Sequence, residues 1–318
     1  MLKFYLRTYL VPGIILFIIW LKVGPPAMQA LSDLGIITRK GRIAFASNRT
    51  GNWEIYVMKP DGTRVRRLTR TNDIDETSPA WSPDGKWIAF VGSTATSADI
   101  EVMRSNGRGR VKLTMDDARE ADPAWSPDGT LIAFTSYRYK QSEIYVIDSD
   151  GSNPRRLTNN TADDRYPQWK PGTNIIYFMR TLPITKKAVC QMERVVALRA
   201  DDGSEAQFND KLSKLDNIPT WSPKGDKLAF SGKADLTEKR GVIYTLLNGS
   251  NILEQVTFRG DEEFDENPTW SPDGKRIAFT RRVMYEHKAR DIYIVDLTRH
   301  ITRNLTEGSG DNDYPDWY

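Results

Sequence analysis

Pro79-Ala80-Trp81-Ser82-Pro83-Asp84-Gly85-Lys86-Trp87-Ile88-Ala89-Phe90 reads as two short strands around a tight turn. Pro83 presets the backbone for the second turn position and Gly85 is free to take a positive φ, so the chain reverses between Ser82 and Gly85. The pattern recurs. Pro-x-Trp returns at Pro123-Ala124-Trp125, Pro167-Gln168-Trp169, Pro219-Thr220-Trp221, Pro268-Thr269-Trp270 and Pro315-Asp316-Trp317, at intervals of 44 to 52 residues. Each of the first five tryptophans is followed nine residues later by a phenylalanine: Phe90, Phe134, Phe178, Phe230 and Phe279. Constant spacing between the two aromatics is the mark of a hairpin of fixed length. At Lys170-Pro171-Gly172-Thr173 the glycine comes one place earlier, which predicts a type II turn.

Two more strands follow in each copy. The first is a β-rich run such as Glu54-Ile55-Tyr56-Val57-Met58, Glu143-Ile144-Tyr145-Val146-Ile147 or Asp291-Ile292-Tyr293-Ile294-Val295. An Asp-Gly or Asn-Gly turn then leads to Arg67-Leu68-Thr69, Lys112-Leu113-Thr114, Arg156-Leu157-Thr158 or Asn304-Leu305-Thr306. Units of four antiparallel strands with this period are blades of a β-propeller. The chain ends complete each other: Ile43-Ala44-Phe45 is a second strand lacking a first, and Pro315-Asp316-Trp317-Tyr318 is a first strand lacking a second. The expected fold is therefore all-β, a six-bladed β-propeller closed by pairing the C-terminal strand with the N-terminal strands. An open solenoid would leave sheet edges exposed.

Trp-Ser-Pro-Asp-Gly-Lys-x-Ile-Ala-Phe, Glu-Ile-Tyr-Val and Arg-Arg-Leu-Thr together resemble the TolB-type, WD-like β-propeller repeat family. The resemblance covers residues 41 to 318 and is specific for fold. It implies a noncatalytic propeller that binds a protein or peptidoglycan-associated partner in the cell envelope. The family's namesake carries an α/β domain before its blades; here residues 31 to 40 stand in that place and are expected to be a linker.

The chain has 318 residues, 45 Lys and Arg, 42 Asp and Glu, and a formal charge of +3. Lys3, Arg7 and Lys22, the only charged residues before position 31, account for that excess, so the body is neutral and nucleic acid is not an expected partner. One cysteine, Cys190, closes no internal disulfide, and with only two histidines no Cys/His zinc set can be assembled. Lys3 and Arg7 precede the apolar run Leu10 to Leu21, and Gly24, Pro25 and Pro26 follow it. This is the grammar of a signal peptide over residues 1 to 30. As a helix the run reaches about 18 Å, short of the ~30 Å of a bilayer core. Cleavage near Ala30 gives a periplasmic protein. The alternative is an N-terminal anchor in the inner membrane with the blades facing the periplasm, the only membrane contact expected. A monomer is expected in either case.

Strands alternate in direction, so the tight turns emerge on one face and the longer connections on the other, where function is placed. Loops entering the innermost strands are acidic and those after the phenylalanines are basic, which predicts an acidic centre inside a basic rim. Three residues before each Pro-x-Trp proline stands Glu76, Glu120, Asp164, Asp216, Asp265 or Asn312. By symmetry these ring the channel mouth. They either bind a cation or a basic partner group, or simply accept backbone N–H bonds in their own turns. Oxygen ligands suit Ca²⁺. No catalytic residue is expected: His287, His300 and Cys190 lack repeated neighbours, and no G-x-S-x-G elbow occurs. The alternative is a propeller enzyme of polysaccharide lyase or hydrolase type with its site at the channel mouth. Trp53, on a loop of the variable face, is a candidate contact residue.

Overall fold

The computed structural model describes residues 5–11, 14–20, 41–182, 192–206, 219–232, 241–248, 253–258, 263–283 and 290–318. The chain divides after Lys40 into two units, Met1–Lys40 and Gly41–Tyr318. In the first, Tyr5–Val11 pairs antiparallel with Ile14–Trp20, so the described residues of the apolar run read above as helix are extended; Ile14, Ile15, Ile18 and Ile19 are β-branched and suit that backbone. Among the described residues no helix is long and apolar enough to cross a membrane.

The second unit is a ring of six four-stranded antiparallel sheets. Blade 1 is Ile43–Ser47, Glu54–Met58 and Arg66–Arg67, with Asn312–Trp317 as its innermost strand. Blades 2 to 6 begin at the innermost strands Asp75–Trp81, Glu120–Trp125, Asp163–Trp169, Thr220–Trp221 and Glu263–Trp270. Closure thus joins the two chain ends within one sheet, Trp317 opposite Ile43 and Asn312 opposite Ser47. The turns follow their chemistry. Gly85 takes φ 64° while Ser82 Oγ donates to Asp84 Oδ1 at 2.7 Å, and Gly172 takes φ 69° as the third residue of its turn, as type II requires.

Second and third strands are buried through their centres, those of blade 1 along their whole length, which explains why they read as continuous apolar runs. Successive side chains point to opposite faces, so Ile43 and Phe45 pack with Ile292, Ile294 and Leu305 of blade 6, whereas Ala44 and Ala46 pack with Trp81, Ile88 and Phe90 of blade 2. Each of the six blade-to-blade junctions holds one such apolar cluster, and the seam between blades 6 and 1 is built like the others.

Outermost strands are short, two residues in blades 1 to 4. The repeated Leu-Thr explains where they stop. Thr69 Oγ1 accepts the Ile55 N–H at 2.9 Å in place of a ladder partner, and Thr114, Thr158, Thr257 and Thr306 do the same for Ile100, Ile144, Ile243 and Ile292.

Candidate functional site

The entry to four of the innermost strands is fixed by a backbone bond from the neighbouring blade's loop. Glu76 N–H donates to Trp53 O at 2.8 Å, Asp164 N–H to Ser142 O at 2.9 Å, Asp265 N–H to Gly241 O at 2.9 Å and Asn312 N–H to Arg290 O at 2.9 Å. These anchors place Glu76, Asp164, Asp265 and Asn312, and the hairpin register places Glu120, at equivalent positions, all with buried side chains. Asp216 lies outside the described residues, as do Cys190 and His287.

Every described member of the ring meets a guanidinium. Asp164 stands directly across the hairpin from Arg180, which donates through Nε at 2.7 Å and Nη2 at 2.9 Å. Asp265 stands across from Arg281, with bonds of 2.6 and 2.9 Å. In blades 1 and 3 the opposite residue is a serine, Ser47 or Ser136, and the arginine comes two residues later and reaches back: Arg49 Nη2 to Asn312 Oδ1 at 2.6 Å, Arg138 Nε to Glu120 Oε1 at 3.0 Å. In blade 2 the opposite residue is Gly92, and Arg110 crosses from the outer strands to donate to Glu76 Oε1 at 2.6 Å and to Glu101 Oε1 at 3.0 Å. A Cβ on Gly92 would crowd Glu101 Oε1, so a larger residue there would have to push the Glu101 carboxylate aside from that crossing.

The expected acidic centre within a basic rim is therefore resolved into pairs within single blades. Hairpin pairing sets the residue three before proline opposite the segment after phenylalanine, and opposite charges meet instead of separating into zones. Arg49, Arg110, Arg180 and Arg281 also lie over the rings of Phe45, Phe90, Phe178 and Phe279 at 5.2 to 5.6 Å. Arg49, Arg138, Arg180 and Arg281 are legible in the sequence as an arginine two or four residues after the phenylalanine; Arg110, twenty residues after Phe90, is not. Burial raises Glu76 to about 6 and Glu120 to about 7, against the opposing pull of Arg110 and Arg138. Glu120 Oε2 has no hydrogen-bond partner among the described residues. Calcium entering this ring would have to displace guanidinium groups, and among the described residues no group of three or more His, Cys, Asp or Glu side chains is arranged to hold a metal.

A second set of residues escaped the sequence reading. The residue before the Pro-x-Trp proline takes a left-handed conformation at Ser78, Asp122, Tyr166, Asn267 and Tyr314, with φ between 51° and 58°. In each case the inner hairpin shifts register there, so the innermost strand bulges. Tyr166 and Tyr314 are 39 to 40% exposed. Burial raises both phenols, and the charge of Asp122 reaches both. Asp122 belongs to blade 3, Tyr166 to blade 4 and Tyr314 to blade 1, so the three converge on the axis of the ring. Asp122 is enclosed by protein yet half-buried by exposure, as a group on a channel wall is, and burial raises it to about 6.

Trp53 sits in the loop before Glu54–Met58. Its indole packs partly against the core between blades 1 and 2, while the Trp53 backbone N–H donates to Asp75 Oδ1 at 2.9 Å. His300 lies beside the outermost strand of blade 6, on the turn after Asp296.

Comparison with known proteins adds an independent line. The family model described as the TolB beta propeller domain matches residues 77–246. Tol-Pal system protein TolB of Desulfosudis oleivorans is 38% identical over 73 residues, 23% of this chain and 16% of that protein, so the chain matches only a small part of its curated relative. The crystal structure of TolB from Acinetobacter baumannii superposes with a TM-score of 0.72 at 21% identity, covering 95% of this chain and 75% of that one. Oligogalacturonate lyase from Vibrio parahaemolyticus superposes at 0.50 with 14% identity, covering 83% and 73%, a likeness of fold alone.

Proposed function

The chain belongs to the TolB beta propeller domain family, and on that premise we propose that it is an exported, noncatalytic protein-binding module of the cell envelope that docks its partner on the loop face. The observation that carries the reading is the exposure of large apolar side chains there. Met115 is 82% exposed and Phe258 68%, both on connections entering an innermost strand, and Tyr139 is 56% exposed on the connection within blade 3. Methionine and aromatic residues are enriched in protein interfaces, and exposed positions of this size on loops held by a rigid scaffold are where a partner is met. The Tol-Pal name of the curated relative supports an envelope partner, protein or peptidoglycan-associated. The basic residues ahead of the apolar run support export, with the chain either released near Leu31 or held by its N-terminal segment.

Capture from an envelope extract tests the reading, with the full chain as bait beside a variant carrying Met115→Ser, Tyr139→Ala and Phe258→Ser. A specific protein retained by the wild type and lost by the folded variant supports docking on this face. Equal retention by both places the partner elsewhere. N-terminal sequencing of the protein from the envelope tests export, and an intact Met1 chain in the cytosol would refute it.

A further inference from the structure

We propose that the channel mouth between blades 1, 3 and 4 is a receptor for one basic side chain, a lysine or arginine of the docking protein, held between Asp122 and the rings of Tyr137, Tyr166 and Tyr314. This deepens the loop-face docking reading and rests on it.

Four side chains from separate elements are grouped there: Thr135 Oγ1 donates to Asp122 Oδ2 at 2.8 Å and accepts the Tyr166 N–H at 3.0 Å, and the charge of Asp122 reaches Tyr314. Asp122 and Tyr166 and Tyr314 come from the left-handed bulges of three innermost strands, and Tyr137 follows the second strand of blade 3, its N–H donating to Arg119 O at 2.9 Å. The charge of Asp122 acts on all three phenols, and Tyr166 acts on Tyr314 as well. All three tyrosines remain 39 to 40% exposed, so part of each ring is open to a ligand.

Asp122 is the carboxylate of the group. It accepts from Thr135 Oγ1 at 2.8 Å and from the Tyr166 backbone N–H, the charge of Arg165 reaches it, and among the described residues no ion pair engages it. The nearby cations are committed elsewhere: Arg165 is bonded to Ser142 Oγ at 3.0 Å and paired with Asp163 at 3.4 Å, and Arg290 is paired with Asp313 at 2.7 Å. Arg165 also lies over the Tyr137 ring at 5.6 Å, which shows one face of the cluster already in use as a cation platform.

A carboxylate backed by several aromatic rings selects an organic cation. The rings attract ammonium or guanidinium through their quadrupoles and exclude water, which strengthens the ion pair with Asp122. A calcium ion needs six to eight oxygen ligands, and the neighbouring ring carboxylates already hold arginines. The innermost bulge makes this arrangement possible, because the left-handed residue turns its side chain away from the blade-to-blade packing that takes up the rest of each strand.

The test uses the full chain in mild detergent with tyrosine rings labelled in ¹³C, the signals of Tyr166 and Tyr314 being assigned through their Phe variants. The probes are acetyl-Gly-Lys-Gly-amide and acetyl-Gly-Arg-Gly-amide, with the acetyl-lysine peptide and tetramethylammonium as controls. The expected result is saturable movement of both signals with the basic peptides, at least about tenfold weaker for acetyl-lysine and for Asp122→Asn. Asparagine tolerates the left-handed backbone and keeps an acceptor for Thr135, and a thermal melt checks that this variant folds. No movement, or equal movement in Asp122→Asn or with acetyl-lysine, overturns the proposal. Tetramethylammonium binding as tightly as the peptides also overturns it, because the site then takes free cations instead of a partner's side chain. Failure of the peptides while the captured protein still depends on Met115, Tyr139 and Phe258 removes the receptor and leaves the docking face; loss of that dependence removes the docking face itself.

Discussion

Asp316 Oδ2 accepts the backbone N–H of Trp81 at 2.6 Å, which ties the last strand of the chain to the blade that follows it in the ring. Its other oxygen, Oδ1, accepts from Thr269 Oγ1 of blade 6 at 3.4 Å, so one carboxylate spans the two junctions flanking blade 1. The corresponding position elsewhere is Ala80, Ala124, Gln168, Thr220 or Thr269. Only the blade assembled from both chain ends carries an acid there. Tyr318 adds to the joint by packing its ring 5.6 Å from that of Trp81 and exchanging backbone bonds with Arg42.

Removing Tyr314 to Tyr318 should therefore open blade 1 and cost several kcal/mol, since losing one buried aromatic costs about 3 to 5. Asp316→Ala should lower stability by about 1 to 3 kcal/mol, the penalty for leaving the Trp81 N–H unpaired. Urea unfolding measures both, and an unchanged midpoint in the truncated chain would contradict closure.

Arginine partners of the ring carboxylates should behave as buried pairs. Arg281→Met strands Asp265 without its countercharge and should cost about 3 to 5 kcal/mol, whereas Arg281→Met combined with Asp265→Leu should recover much of that. A double-mutant cycle by chemical denaturation reads the coupling. Strict additivity would mean that the pair does not act as a unit.

Glu120 makes stability depend on pH in a defined sense. Its carboxyl is raised from 4.5 to about 7 by burial, so between those values the folded chain binds more protons than the unfolded one, and stability falls as pH rises through that window. Relative to Glu120→Gln, the wild type should lose about 3 kcal/mol between pH 4.5 and 8. Parallel curves for the two proteins would show that Glu120 ionises normally.

Gly92→Ala should disturb blade 2 by pushing Glu101 and Arg110 off Glu76. The new methyl crowds Glu101 Oε1, and the expected cost is about 1 to 3 kcal/mol by calorimetric melting. Gly232→Ala is the control, since Gly232 follows Phe230 by the same two residues but has no Arg110 counterpart among the described residues. Equal costs would show that the crossing of Arg110 is not what requires glycine.

Number of blades, hairpin turns, closure and core were all legible in the residues. Each rests on local pattern: Pro-Asp-Gly bends the chain within four residues, period-two burial follows from the pleat, and Trp81 to Phe90 repeats five times at one spacing. The short outer strands were not legible, because a threonine hydroxyl replacing a ladder bond looks like any other strand residue until the Thr69 and Ile55 backbone are seen together.

What the sequence alone determined, then, was the ring and the positions of Glu76, Glu120, Asp164, Asp265 and Asn312 within it. What only the tertiary structure decided was the fate of their charge. Opposite charges lying in separate stretches of sequence read as separate zones, but a hairpin folds those stretches onto each other, and a buried carboxylate finds the nearest guanidinium because leaving it alone costs several kcal/mol. The grouping of Asp122, Tyr137, Tyr166 and Tyr314 was likewise invisible in the chain. It depends on a left-handed turn at single non-glycine residues and on strands from blades 1, 3 and 4 converging at the axis, and neither property belongs to any one segment.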